Sequence, residues 1–330
     1  ISGYTAAFIY ARKMVAQGYL AGTALLIRRV WQLYVAHILL FVFYAVAIGY
    51  VAQNYGHSHL LDEFNVAGLI EQPVATLAQG LLLKFKPLNL DVLPLYIVLM
   101  AGFAPLLILM MRAPDAALAA SIMVYVLARH FGSNFPAHPS GGWYFNPLAW
   151  QLLFTMGAWA ALGGAARAQA LARSRTVLIA SVAFVVFAFV VTIGARFGLS
   201  TALSPVFDVL SEKTNLAPYR IVHFLALAVF VVHLVPRDWK GLDSKLARPV
   251  IVCGQRSLEV FCIGIFLSFV GHFILEMYSD RLITQIGVSF GGVVLMTAVA
   301  LYRTWSRTLD ARAPKASVTP VAIGSKGENE

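Results

Sequence analysis

Apolar residues run along this chain in blocks of roughly 20, broken by short polar stretches, the length a helix needs to cross about 30 Å of hydrocarbon. The blocks predict helices over 1–11, 30–52, 91–111, 115–131, 147–164, 176–196, 218–236, 250–274 and 283–303. Membrane strands would show alternating ten-residue patterns, and the long Leu, Ala, Val and Phe runs do not alternate. The longest break, 53–90, contains a semi-apolar piece from Val74 to Phe85 with Lys84 and Lys86 at its end, which predicts a helix lying in the interface rather than a further span.

Composition agrees with that pattern. Of 330 residues, 59% are hydrophobic and 12% charged, against roughly 45–50% and about 25% in soluble domains. The expected fold is therefore all-α, a polytopic transmembrane helical bundle with about nine spans. Assigning the connections alternately to two sides puts 18 of the 25 basic residues on one side, including the C-terminal tail. Only Lys84, Lys86, Arg129, Arg196, Lys213, Arg220 and Arg281 fall on the other. Basic loops stay cytoplasmic, so the basic-rich side and the C-terminus are expected inside. The net charge of +10 then reports topology and not a nucleic-acid surface. The domain is expected over 1–305, followed by a cytoplasmic tail at 306–330 that is too polar to fold from Ala313 onward. The chain opens inside an apolar run without an initiator Met, so an upstream segment is expected.

Ionisable and amide side chains at membrane depth cost several kcal/mol unless they meet a partner or a cavity, which makes them the first candidates for chemistry. His37 falls in the middle of the second predicted span, with only Leu33 and Tyr34 three or four places before it. It fits either a hydrogen bond to a neighbouring helix or a general base. Asn89, Asp91 and Tyr96 open the third span, where Asp91 fits either a helix cap or the rim of an outward-facing site. Trp143, Asn146, Trp150 and Gln151 open the fifth, as interface anchors with a cap, or as rings and amides suited to a sugar. Arg220 and His223, one turn apart after Pro218, could line one cavity. On the basic-rich side Gln255, Arg256 and Glu259 fit either pairing with loop charges or an anionic donor such as a coenzyme A phosphate. No metal site is expected: His57 and His59 form only a lone pair on a loop. Cys253 and Cys262, nine residues apart on one predicted helix, would face opposite ways and cannot bridge.

The strings Ile1-Ser-Gly-Tyr-Thr-Ala-Ala7, Arg29-Val-Trp-Gln-Leu-Tyr-Val-Ala-His37, Leu88-Asn-Leu-Asp-Val-Leu-Pro-Leu-Tyr96, Phe145-Asn-Pro-Leu-Ala-Trp-Gln151 and Gly254-Gln-Arg-Ser-Leu-Glu-Val-Phe-Cys262 resemble the OpgC family of bacterial inner-membrane proteins, over about 1–305. That family in turn resembles the ten-helix acyltransferase-3 superfamily. The resemblance implies an acyltransferase that moves a succinyl group from cytoplasmic succinyl-coenzyme A to an osmoregulated periplasmic glucan, without a permanently bound cofactor. Partners would be lipid, glucan, acyl-coenzyme A and other glucan-biosynthesis proteins. It also implies an earlier helix carrying an Arg-Gly motif and a catalytic His, making ten spans. Among the residues present, His37 would act as base or orient that His. Arg220 and His223 would hold acceptor or oxyanion, and Arg28 and Arg29 would attract the donor's phosphates. A saccharide or acyl-carrier transporter would use the same polar groups as a pathway, and a non-catalytic membrane subunit would use none of them for chemistry.

Overall fold

The computed structural model describes residues 2–54, 59–197, 211–235, 239–245 and 247–312. His57 and the predicted tail from Ala313 lie outside them. The described residues form helices and no strand, with one isolated bridge between Pro136 and Gly142. The fold is all-α. Helices α1 (Ser2–Gln17), α2 (Tyr19–Asn54), α3 (His59–Glu63), α4 (Gly68–Glu71), α5 (Pro73–Leu81), α6 (Val92–Ala101), α7 (Phe103–Arg112), α8 (Pro114–His130), α9 (Pro147–Trp159), α10 (Ala165–Ala172), α11 (Arg175–Arg196) and α12 (Pro218–Leu234) belong to one compact unit, Ile1–Trp239. A second unit, Lys240–Glu330, holds α13 (Ala247–Gln255), α14 (Ser257–Met277) and α15 (Leu282–Arg312).

Each predicted span coincides with helix, yet fewer than nine pass as membrane spans on length and apolarity together. Among the described residues four do: α2, α11 from Arg175 to Gly194, α14, and α15 to Leu309. Two bent pairs raise the number to six, α6 with α7 (53° apart) and the stretch Pro147–Gly164 with Ala166–Ala172 (101° apart). The shortfall has local causes. Gly102 separates α6 from α7. Gly163 takes φ of +117°, a conformation a side chain would oppose, and ends the α9 run in a π-turn. Helices α8 and α12 stop at 17 residues. The predicted span 250–274 is divided at Arg256 into α13 and α14, so Cys253 and Cys262 stand on separate helices, both as free thiols.

In the first unit the helices approach through small residues and polar ties. A Cβ on Gly3 of α1 would collide with the Phe154 carbonyl of α9, and one on Gly157 would meet the Tyr4 nitrogen at 3.0 Å. Ser121 of α8 donates to the Gln151 side-chain oxygen of α9 at 2.6 Å, and the Gln151 amide returns a bond to the Ser121 carbonyl at 2.8 Å. Leu26, Leu33, His37, Leu40, Phe41, Tyr44 and Ile48 form the buried stripe of α2, at the three- and four-residue spacing of one helical face.

The stretch predicted to lie in the interface folds back along that stripe. Gly80 of α5 touches the Phe41 ring, Tyr34 donates its hydroxyl to the Leu81 carbonyl at 3.1 Å, and Phe85 meets Phe41 edge-on at 6.2 Å. At 1.5 Å per residue, Tyr34 lies about 30 Å along the helix from Asn54. The segment after α2 therefore descends beside it and returns through Lys86 to α6. In the second unit Gly271 and Gly264 seat Val288 and Met296, bringing α14 against α15.

Candidate functional site

Three connections meet at the basic-poor end of the first unit. The His138 amide donates to the Lys84 carbonyl at 3.0 Å, the Leu88 amide to the Phe64 carbonyl at 3.0 Å, and the Asn146 amide to the Thr214 carbonyl at 3.0 Å. Between them lies a cavity of about 740 Å³ whose wall includes Lys84, Lys86, Asn89, Asp91, Trp150, Lys213 and Arg220. Its backbone is unusual. Asn65 and Asn89, both on the wall, and Leu83 and Leu216 nearby adopt positive φ between +51° and +70°. Asn tolerates that region, whereas each Leu costs about 1–2 kcal/mol there. The strained carbonyls are used: Leu83 accepts from the Lys86 ammonium at 3.3 Å, and Leu216 from the Tyr125 hydroxyl at 2.8 Å.

Lys86 is the unexpected centre. Only 8% exposed, its ammonium stands 3.7 Å above the Trp143 ring. Burial pushes it down to about 8, with the Asp91 carboxylate opposing that shift. Burial likewise raises Asp91, against the pull of Lys86. Behind them stands His37, fully buried at the midpoint of α2, and neither ring nitrogen has a hydrogen-bond partner among the described residues. The charge of Lys86 reaches it. Two turns further down α2, Arg29 acts electrostatically on both Tyr10 and Tyr96. Polar groups thus follow one another along this face of α2, from Arg29 past His37 to Lys86 and the cavity.

Comparison with known proteins decides the family. A family profile described as OpgC protein matches residues 1–308, nearly the whole chain. The chain belongs to the OpgC protein family. No curated protein matches it, and no solved structure does.

In this OpgC family protein the anticipated residues separate into those that line the cavity and those that build it. Asn89, Asp91, Trp150 and Arg220 are on the wall. Asp91 accepts no capping hydrogen bond from α6, which leaves its carboxylate for the cavity. Asn146 is the opposite case. Fully buried, it accepts from the Leu148 amide at 3.0 Å as the cap of α9 and donates to the Ser133 carbonyl at 2.7 Å and the Asn215 side chain at 2.9 Å. Gln151 is engaged with Ser121, and Tyr96 packs on Phe154 with centroids 6.3 Å apart. Trp143 is 4% exposed, its N–H donated to the Pro136 carbonyl at 3.2 Å, so it serves as a platform for Lys86 and not as a lipid anchor.

Arg220 and His223 do not share the cavity. Arg220 donates through Nε to the Ser211 carbonyl at 2.8 Å, while His223 stacks on Tyr219 at 6.2 Å and lies near Phe184 of α11 at 6.4 Å. Arg28 is exposed on α2, and Arg29 is half-buried. In the second unit Arg256 donates to Thr304 at 3.2 Å, and Glu259 stands 3.9 Å from both Arg303 and Arg307, with Gln255 exposed beside them. Among the described residues no group of three metal-ligating side chains exists.

Lys84, Lys86 and Lys213 are the wall cations that motif reading missed. A signal was present. Basic residues are disfavoured on the outer side of a membrane protein, and four of the seven counted there, Lys84, Lys86, Lys213 and Arg220, line this one cavity.

Proposed function

We propose that the protein is a membrane O-acyltransferase that moves an acyl group, succinyl by family resemblance, from cytoplasmic acyl-coenzyme A to a hydroxyl of a periplasmic glucan. The observation that carries this reading is His37: a fully buried imidazole whose two nitrogens have no hydrogen-bond partner among the described residues, within the field of Lys86 on the cavity wall. An imidazole that takes up no structural hydrogen bond is free to accept a hydroxyl proton. In this reading the protein lies in the inner membrane, with the cavity in the periplasm and the C-terminus inside.

The acceptor sugar would enter the cavity against Trp150 and the amide of Asn89, ring face on indole and hydroxyls on polar groups. His37 would remove the proton from the attacking hydroxyl. The oxygen then adds to the thioester carbonyl carbon, and the oxyanion meets the positive field of Lys86 and Arg29. Collapse expels the coenzyme A thiolate, which takes the proton held by imidazole. Donor binding would fall to Arg28 in the first unit, or to Gln255, Arg256 and Glu259 in the second. At Glu259, Arg303 and Arg307 leave surplus positive charge for the donor's phosphates.

A transporter is the second reading, favoured by the two bent helix pairs and the open polar cavity. One experiment separates the two. The complete reading frame is expressed in membranes, given acyl-labelled coenzyme A, and the periplasmic glucan is assayed for label. His37→Ala should lower transfer by about 10²–10⁴. Unchanged labelling in that variant would falsify the assignment, and glucan movement across vesicles without acyl transfer would establish the transporter instead.

A further inference from the structure

The cavity carries more positive charge than a neutral sugar can use. Its wall includes four cations, Lys84, Lys86, Lys213 and Arg220, and one carboxylate, Asp91. Among the described residues none of the four cations forms an ion pair. Lys86 is nine-tenths buried, its ammonium lies against the Trp143 ring at 3.7 Å and the Leu83 carbonyl at 3.3 Å, and Asp91 is the one wall carboxylate that acts on it. Arg220 spends Nε on the Ser211 carbonyl at 2.8 Å, which orients the guanidinium and leaves its two terminal nitrogens for another acceptor.

A concave, partly desolvated wall with surplus charge of one sign concentrates ions of the other. A neutral glucan would satisfy the Asn89 amide and the Trp150 ring and leave four cations opposed by the single carboxylate of Asp91, a surplus that a buried ammonium tolerates poorly. We infer that the cavity recognises an anionic group borne by the saccharide acceptor, a carboxylate or a phosphate ester, with Arg220 and Lys86 as its direct ligands and Lys84 and Lys213 adding field. Arg220 supplies a planar fork that matches two oxygens of either group, and Lys86 supplies a point charge from the buried wall. This inference rests on the cavity being the acceptor site of the proposed reaction. It adds that charged acceptors are preferred to neutral ones.

The test uses the full chain in nanodiscs of zwitterionic lipid and reads binding by tryptophan emission, since Trp143 and Trp150 flank the cations. The probes are a neutral β-glucan oligosaccharide, the same oligosaccharide carrying one succinate half-ester or one phosphate monoester, free succinate and free inorganic phosphate. The charged oligosaccharides should bind roughly tenfold or more tightly than the neutral one, the range of one charge-assisted hydrogen bond. Raising the salt concentration should shrink that advantage. Arg220→Gln and Lys213→Gln should each bring charged binding toward neutral binding while neutral binding persists, which separates lost recognition from lost folding. Lys86→Met should do the same.

Equal affinity for neutral and charged oligosaccharides overturns the inference, as does a preference that survives all three substitutions. If free phosphate or succinate binds as tightly as the charged sugars, the site takes loose anions and the saccharide-borne source is wrong. If the preference disappears when anionic phosphatidylglycerol replaces the zwitterionic lipid, a lipid headgroup is the occupant, and the inference fails in that form. The acyl-transfer assay is independent of all these readings. Transfer with equal binding of neutral and charged sugar rejects the inference alone, and anion preference without any transfer rejects the acyltransferase reading alone.

Discussion

Replacing Lys86 by Met should make the protein more stable and less functional. Met nearly matches the volume of the lysine stem and removes the charge together with the long, weak hydrogen bond to the Leu83 carbonyl at 3.3 Å. The magnitude follows from the displacement of the ammonium from its ordinary 10.5 to about 8. At about 1.4 kcal/mol per unit, keeping Lys86 protonated inside the fold costs about 3 kcal/mol at pH 7. Against this, Lys86→Met loses the cation–π contact with Trp143, worth about 0.5–2 kcal/mol. The net expectation is a gain of about 1–2 kcal/mol, a few degrees in apparent Tm. The sign has a pH signature. A lysine depressed by folding holds the penalty in full below pH 8, and the penalty fades between about 8 and 10.5, where the unfolded chain keeps a proton that the folded chain has released. The advantage of Lys86→Met should therefore be full at pH 7 and fall below about 1 kcal/mol by pH 10. The assay is tryptophan-detected thermal unfolding of detergent-solubilised full chain, wild type and variant at one scan rate, from pH 6.5 to 10. A variant that melts lower than wild type at pH 7, or whose difference does not change with pH, would show that Lys86 is held by compensation absent from this account.

Asn146→Ala removes the α9 cap and two further hydrogen bonds from a fully buried side chain, so a loss of about 2–4 kcal/mol is expected in thermal unfolding. Gln151→Leu should destabilise by about 1–3 kcal/mol by leaving the Ser121 hydroxyl without its acceptor, yet leave acceptor affinity at wild-type level because Gln151 ties α8 to α9 outside the cavity. A changed affinity at retained stability would place Gln151 at the site after all. Gly3→Leu should separate α1 from α9, at a cost of about 1–3 kcal/mol or loss of the monodisperse peak in detergent size-exclusion chromatography. His223→Ala should leave acyl transfer near wild type, since His223 packs on Tyr219 and Phe184, and a loss as large as that of His37→Ala would contradict this placement.

The helices were legible because apolar blocks of about 20 residues have one solution in lipid. The breaks were harder to read. Gly102 interrupts a block whose composition stays apolar on both sides, and hydropathy does not register a single bent residue. The folding-back of α5 was illegible for a different reason. Apolar residues meant for lipid and those meant for α2 look alike, and only the contacts of Gly80, Leu81 and Phe85 with α2 distinguish them. In the site, position along the chain located Asn89, Asp91, Trp150 and Arg220, each next to a predicted helix start. It misjudged side chains one turn apart. Arg220 and His223 lie three residues from each other on α12, about 60° around the helix axis, and that rotation suffices to send one to the cavity and the other to α11. Asn146 and Asp91 looked alike as caps, and only the former closes the hydrogen bond.

Two costly side chains of the first unit, His37 and Lys86, act on one another electrostatically, which bears on what the fold is selected for. His37 leaves two ring nitrogens without partners in a fully buried position, a cost of about 1–3 kcal/mol. Lys86 adds about 3 kcal/mol in the next layer outward. Leu83, whose carbonyl meets Lys86, holds a strained backbone as well. Local rules would replace all three with apolar or unstrained choices at a net gain, and nothing in the packing of α2 against α5 and α6 needs a polar atom there. Costs gathered at one place and absent from the α8–α9 interface, where Ser121 and Gln151 satisfy each other, are the mark of a site and not of poor packing. By the same reasoning, a variant that relieves both His37 and Lys86 should melt higher than wild type and transfer nothing.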